Sequence, residues 1–227
     1  MDIWGDETKA VVTGNTTSSG KLEVLANAAN TAKVTANASS TLSTTGVGVS
    51  VAILVGDLIN KAELSGTHKT GYFLVKAGMV KDGENDRVND IQVISISGAG
   101  ASNVGVAGAV AINIFDTEYA ATQNGTLIAT NAAQTSEVTA NVNQKVVTRA
   151  GASADLAGAG SSTSTGTGTS AGTGTSGTGT SGSSKKSVGV GASFALTIAD
   201  AKADAVVNGT IKTDGNLQIE GIVISDV

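Results

Sequence analysis

Apolar and small residues alternate strictly in three long stretches of this chain, and each stretch ends on an aspartate. Stepping back by two from Asp57 gives Val55, Ile53, Val51 and Val49; from Asp116, Ile114, Ile112, Val110 and Gly108; from Asp200, Ile198, Leu196, Phe194 and Ala192. The positions between them are small: Ala52, Ser50 and Gly48; Ala111, Ala109 and Ala107; Ala195, Ser193 and Gly191. A period of two puts successive side chains on opposite faces of a β-strand. Each stretch therefore predicts a strand with one large apolar face and one nearly flat face. The large face, with Val110 at its middle, is expected in the core, and the flat face, with Ala111, toward solvent or a loose layer. After each aspartate the apolar phase moves by one residue, as at Ala201, Ala203, Ala205 and Val207. A β-bulge or corner does this, so Asp57, Asp116 and Asp200 predict bends at which the carboxylate bonds its own backbone. A glycine nine residues further on, at Gly66, Gly125 and Gly209, predicts the next turn.

The pattern is an internal repeat. Residues 8–24 align with 203–219 without gaps at an offset of 195, so that Gly14 meets Gly209. The element G-x-[LF]-x-[VI] occurs at 20–24, 71–75 and 215–219, and V-T-A-N at 34–37 and 138–141. Gly14, Gly66, Gly125 and Gly209 are 52, 59 and 84 residues apart, and the last interval holds a 24-residue Ser/Gly/Thr tract at 161–184. Without that tract the interval is 60. A unit of about 52–60 residues, copied three or four times, predicts an all-β chain wound as a parallel β-helix (β-solenoid), each coil burying its apolar row on its neighbour's. Residues 1–160 are expected to be solenoid repeats, 161–187 a disordered Ser/Gly/Thr loop, and 188–227 the same solenoid continued. The 161–184 tract is apolar only at Ala171, so it is not expected to join a core. Its counterparts at 39–46 and 97–103 predict shorter loops on the same edge.

Composition narrows the alternatives. Aromatic residues are 3% of the chain and proline is absent, against a β-sandwich with proline turns and aromatic pairs between its sheets. Val, Ile and Gly in the alternating stretches disfavour helices. The longest apolar runs, 47–55 and 104–112, fall far short of the ~20 residues of a membrane helix, so no membrane insertion by this segment is expected. Both ends fall within the repeat, as expected of a piece of a longer protein. Net charge is −5 and only Lys185 and Lys186 form a basic pair, so nucleic acid is not an expected partner. The lack of cysteine fits an extracellular setting.

Little in the sequence points to chemistry. His68 is the only histidine and sits in a Gly- and Thr-bounded segment, where a solvated loop histidine is expected. One run alternates carboxylates: Asp82, Glu84, Asp86 and Asp90. Such a run is where calcium would bind, if anywhere. Its spacing is not that of an EF-hand, and Lys81 and Arg87 lie beside it, so a solvated loop is expected. No catalytic, cofactor or metal centre is predicted. Sequons occur at Asn15, Asn37, Asn124 and Asn208.

Residues 188–196, followed by Ala205-Val206-Val207-Asn208-Gly209 and Gly215-Asn216-Leu217-Gln218-Ile219, resemble the repeats of giant bacterial surface proteins. These are the β-strand-repeat adhesins and haemagglutinin-like exoproteins of type V secretion, including leukotoxin-like chains. The resemblance implies a secreted or surface-anchored parallel β-helix that acts as a stalk or adhesive surface. Its expected partners are neighbouring repeats, copies end to end, or a host-surface glycan or protein. A self-assembling fibre subunit and a carbohydrate-active β-helix enzyme are the alternatives.

Overall fold

The computed structural model describes residues 1–156, 164–167, 171–174 and 188–227. These residues are all-β, without helix. The strands are β1 (Asp2–Thr17), β2 (Lys21–Ala28), β3 (Thr31–Thr70), β4 (Tyr72–Met79), β5 (Lys81–Asp82), β6 (Asn85–Asp86), β7 (Asn89–Ala129), β8 (Ser136–Leu156), β9 (Ser164–Thr167), β10 (Ala171–Gly174), β11 (Val188–Val207), β12 (Thr210–Thr213) and β13 (Leu217–Asp226). All except the β5–β6 hairpin belong to one strongly curled sheet. Its long strands pair in parallel, each with its counterpart in the next copy.

The pairing register reproduces the repeat. Ala10 lies beside Ala62, Ala62 beside Ala121, and Ala121 beside Ala205, which is the offset read from the sequence. Leu22 lies beside Phe73, and Leu217 beside Ser136 of the next strand over. The two V-T-A-N elements are not equivalent: Val34 pairs with Val93, whereas Val138 pairs with Val75 and Ile219. Four residues of common types recurred without occupying one place in the sheet.

Three walls follow from the register. A valine wall is formed by residues 46–56 of β3, 104–115 of β7 and 188–199 of β11. A facing wall is formed by 31–40 of β3, 90–99 of β7 and 145–154 of β8. A third wall of β2, β4 and 136–143 of β8 closes on the lower halves of the long strands. Between the facing and valine walls the register shifts at Ser40, Ser43 and Thr45. The 39–46 and 97–103 segments, expected as loops, run on as strand through that corner.

The burial of the valine wall is the reverse of the sequence expectation. Ala52, Ala109 and Ala111 are buried, and Val47, Val49 and Val51 point outward at 59%, 62% and 49% exposure. The reason is the distance between walls. A methyl group built on Gly48 would lie 2.2 Å from the Gly98 carbonyl oxygen, and one on Gly46 2.6 Å from that of Gly100. Ser97 donates to the Gly48 carbonyl at 2.6 Å, and the Ser50 and Ser95 hydroxyls are 2.7 Å apart. Around Gly46, Gly48 and Ser50 walls this close admit only Gly, Ala and Ser, so Val47, Val49 and Val51 occupy the outside; further along, the same gap holds Leu54, Asn113, Phe115, Ile91 and Val93. The small face is the better buried one because it alone fits.

The expected bends at Asp57, Asp116 and Asp200 are also absent. Pairing passes through Asp57, Asp116 and Asp200 without a register shift. In β3 the same side chains face inward from Gly46 to Leu64, on both sides of Asp57. The filling changes before the aspartate is reached: near Gly46 the interior holds Gly, Ser and Ala, and from Leu54 and Phe115 onward it takes large residues, among them Leu58, Leu64, Phe73, Tyr119 and Leu127. The turn glycines do sit at a corner: Gly14, Gly66 and Gly125 have φ of 103°, 114° and 101°, the left-handed region open to glycine. They stack so closely that a methyl on Gly66 would lie 1.8 Å from the Gly14 carbonyl oxygen. An aromatic pair is present as well. Trp4 and Phe115 stack with ring centroids 6.0 Å apart, across the bare Gly56 that separates them in the sheet.

Part of the Ser/Gly/Thr tract joins the sheet. β9 pairs antiparallel with 149–152 of β8, and β10 with 191–194 of β11. Backbone hydrogen bonding at a free edge needs no apolar side chain. The rest of the 161–187 loop prediction lies outside the described residues.

The wall spacing sets a mutational order. Ala111→Asp is expected to unfold the chain or to cost several kcal/mol, because it buries a charge between the walls. Val51→Asp should cost only about 1 kcal/mol, through lost strand propensity. Urea midpoints of the two variants check this, and equal midpoints would reverse the face assignment. Asn113 is fully buried with neither amide atom bonded, and its register neighbour on β3 is Leu54. Asn113→Leu is expected to raise stability by about 1–2 kcal/mol, read from the same titration.

Candidate interaction face

The valine wall turns a continuous ladder outward. In register across β3, β7 and β11 its rows are Val47, Val106 and Val190; Val49, Gly108 and Ala192; Val51, Val110 and Phe194; Ile53, Ile112 and Leu196; and Val55, Ile114 and Ile198. Phe194 and Ile198 are 39% and 54% exposed. With about 4.8 Å between strands and about 6.7 Å between rows, five rows on three strands cover roughly 480 Å². A contiguous apolar patch of that size on a soluble protein commonly marks a contact surface. The facing wall differs: its outward positions include Lys33, Thr35, Asn37, Gln92 and Arg149, with Ile94 and Ile96 among them. A shallow cavity of about 270 Å³ lies there, lined by Ile94, Ile96, Arg149, Gly151 and Ser153 among others.

The aspartates close the ladder. Asp57, Asp116 and Asp200 stand side by side on adjacent strands, all exposed. The Ala201 amide donates to the Asp200 carboxylate at 2.9 Å, the local bond expected of such a residue. Directly below, the outer surface becomes charged, with Lys61 3.3 Å from Glu118 and Lys202 paired to Asp204 at 2.6 Å. The aspartate row is thus the border between an apolar and an ionic surface. Like charges directly opposite repel, and exposure to water screens them.

The calcium candidates are dispersed. Asp82 lies in β5 and Asp86 in β6, Glu84 is at the hairpin turn, and Asp90 begins the facing wall. Asp86 is taken by Lys81 at 2.8 Å and by the Asn141 amide at 3.4 Å. Asp90 accepts from the Gln92 amide at 2.9 and 3.0 Å. Among the described residues no three His, Cys, Asp or Glu side chains are grouped to hold a metal ion. The loop's alternation was legible in the sequence, but its hairpin and its flanking bonds send the carboxylates to different partners.

His68 is a correction. It is fully buried, its Nε2 is 3.1 Å from the Ser65 carbonyl oxygen, and its Nδ1 has no partner. The glycine beside it marks a corner that tucks the imidazole inward, where a loop was expected to leave it in water. Sequence reasoning also missed a buried polar group around Tyr119. Its hydroxyl donates to the Ala28 carbonyl at 3.2 Å and accepts from the Asn89 amide at 3.2 Å. Asn89 accepts from the Asn30 amide at 2.9 Å, and Asn60 donates to the Ala26 and Gly78 carbonyls at 3.0 Å each. These side chains satisfy corner backbone from inside the core. The signal available was weak: Asn60 and Tyr119 occupy one register position in successive copies.

No protein-family model matches the chain, and no curated protein or solved structure matches it.

Burial raises the Tyr119 phenol above its ordinary value of 10.0, and the bond from Asn89 offsets only part of this. Above pH 10.0 the unfolded chain releases that proton while the folded chain keeps it. The stabilisation is therefore whole below that pH and is lost as pH rises through the folded value. Chemical denaturation across the alkaline range is expected to show stability falling with pH, and Tyr119→Phe to remove part of the slope. An unchanged slope would place this phenol in water.

Proposed function

We propose that this chain is a structural and adhesive repeat segment of a large secreted or surface-anchored bacterial protein. Its copies wind as a parallel β-helix that serves as a stiff stalk and contact surface. The observation that carries the reading is the pairing of each copy with the next, in parallel and in unbroken register from Thr45 of β3 to the strand's end. Such pairing makes the chain long in one direction and puts equivalent residues in rows, and rows of outward valine offer a regular surface for contact. The described parts of the Ser/Gly/Thr tract pair along the edges of β8 and β11, adding to the sheet without interrupting the parallel strands.

Catalysis is not part of this reading. The only histidine is buried against the Ser65 carbonyl, and the recurring aspartates are equivalent members of one row. A general base needs a partner that tunes it and a place for substrate.

Two measurements test the proposal. Small-angle scattering of the chain is expected to give a constant cross-section and an elongated form, and a compact profile would sink the β-helix. Incubation with acidic and neutral polysaccharides, with and without calcium, is expected to yield retention without turnover. Released product that disappears on replacing Asp82, Asp86 or Asp90 would promote the carbohydrate-active alternative.

A further inference from the structure

We propose that the outer face of the valine wall is self-complementary and that its occupant is a second copy of this chain. The inference deepens the contact-surface reading above by naming what the surface holds.

The rows differ in height in a particular order. Val51, Val110 and Phe194 form the middle row. On one side lies a row that is low on two of its three strands, Gly108 and Ala192 beside Val49; on the other a tall one, Ile53, Ile112 and Leu196. A two-fold axis across the strands through the middle row lays each strand of one copy over the same strand of the other, running in reverse. The tall row of each copy then meets the low row of the other. Ile112 falls over Gly108 of the second copy, Leu196 over its Ala192, and Phe194 over its Phe194. The outermost rows meet branched side chain on branched side chain, Val47, Val106 and Val190 against Val55, Ile114 and Ile198. Protrusion into recess is what close packing between sheets requires.

Charge selects this orientation. An axis along the strands would also bring the two faces together, but it would set the row Asp57, Asp116 and Asp200 against the same row of the second copy. Facing carboxylates of this kind repel strongly. The reversed arrangement puts each aspartate row at the rim, opposite Thr45, Val104 and Val188.

The facing wall carries Lys33, Asn37 and Arg149 outward and offers no second ladder, so the contact closes at two copies. The pair buries roughly 960 Å² by strand spacing, which is below the size of stable specific interfaces and in the range of weak, transient ones. The dimer is therefore weak and concentration-dependent.

Sedimentation velocity of the full chain from low micromolar to several hundred micromolar is expected to show a monomer passing to a dimer. The triple variant Val49→Thr, Val51→Thr, Val190→Thr keeps β-branched side chains on the surface and should weaken association at least about tenfold. Thr35→Lys with Asn37→Lys on the facing wall should leave association unchanged, and circular dichroism checks that each variant is folded. The chain has no cysteine, so single thiols report orientation. Val51→Cys, on the axis, should cross-link to itself with a short bifunctional reagent; Val47→Cys should do so only when combined with Val55→Cys.

A chain that stays monomeric throughout overturns the proposal, as does a dimer indifferent to the threonine variant. Self-linking of Val47→Cys as readily as Val51→Cys overturns the orientation. Growth into filaments untouched by the threonine variant would instead point to end-to-end contact through the open edges of β1 and β13. Retention of a monomeric chain on a glycan or protein array would defeat copy pairing and leave the adhesive reading standing.

Discussion

In-register parallel pairing between successive copies is the constraint on which everything else rests. Once Ala62 sits beside Ala10 and Ala121, every other position in the copy is placed against its own equivalent. Rows follow without further instruction: the glycine corner at Gly14, Gly66 and Gly125, the aspartate border, the inner alanines and the outer valines. A residue in such a row meets its own kind twice, so size and charge are amplified along the stack. That is favourable for alanine and valine and costly for carboxylate, and the aspartates are accordingly found where water reaches them.

The second constraint is the spacing between the valine wall and the facing wall. Around Gly46 and Gly48 the walls come so near that side chains beyond Ala and Ser have no room there. The hydrogen bonds from Ser97 to Gly48 and between Ser50 and Ser95 fix the gap. From Leu54 and Phe115 onward the core takes ordinary large residues, continuing to Phe73 and Leu127, with Tyr119 and Asn60 bonding the backbone of the corners. One chain thus has a thin, alanine-lined end and a thick, leucine- and aromatic-lined end. Apolar surface that cannot enter the thin end is displaced to its outside, and there it forms the ladder that we assign to contact.

This arrangement ties function to economy of space. A surface made of stacked equivalents is flat, repetitive and stiff, which suits contact with another repetitive surface. Among the polar groups that are buried, His68 meets the Ser65 carbonyl and Asn89 accepts from the Asn30 backbone amide. The acidic hairpin at 81–86 is likewise tied down by Lys81 and Asn141.

The sequence by itself determined the strands, the copy length and the register. Period-two alternation is a local property of the backbone, and the offset between residues 8–24 and 203–219 can be measured along the chain. It also determined the glycine corner, since the spacing of Gly14, Gly66 and Gly125 repeats with the unit. Only the tertiary structure decided which side of each strand faces inward. Both sides of the valine wall are apolar, and burial there depends on how near a second wall comes, a distance set by residues such as Gly98 some fifty positions away from Gly48. For the same reason the phase change at Asp57 reads as a bend along the chain, whereas the pairing runs through it without a register shift. Alternation tells which side chains share a face; the partner of that face decides its fate.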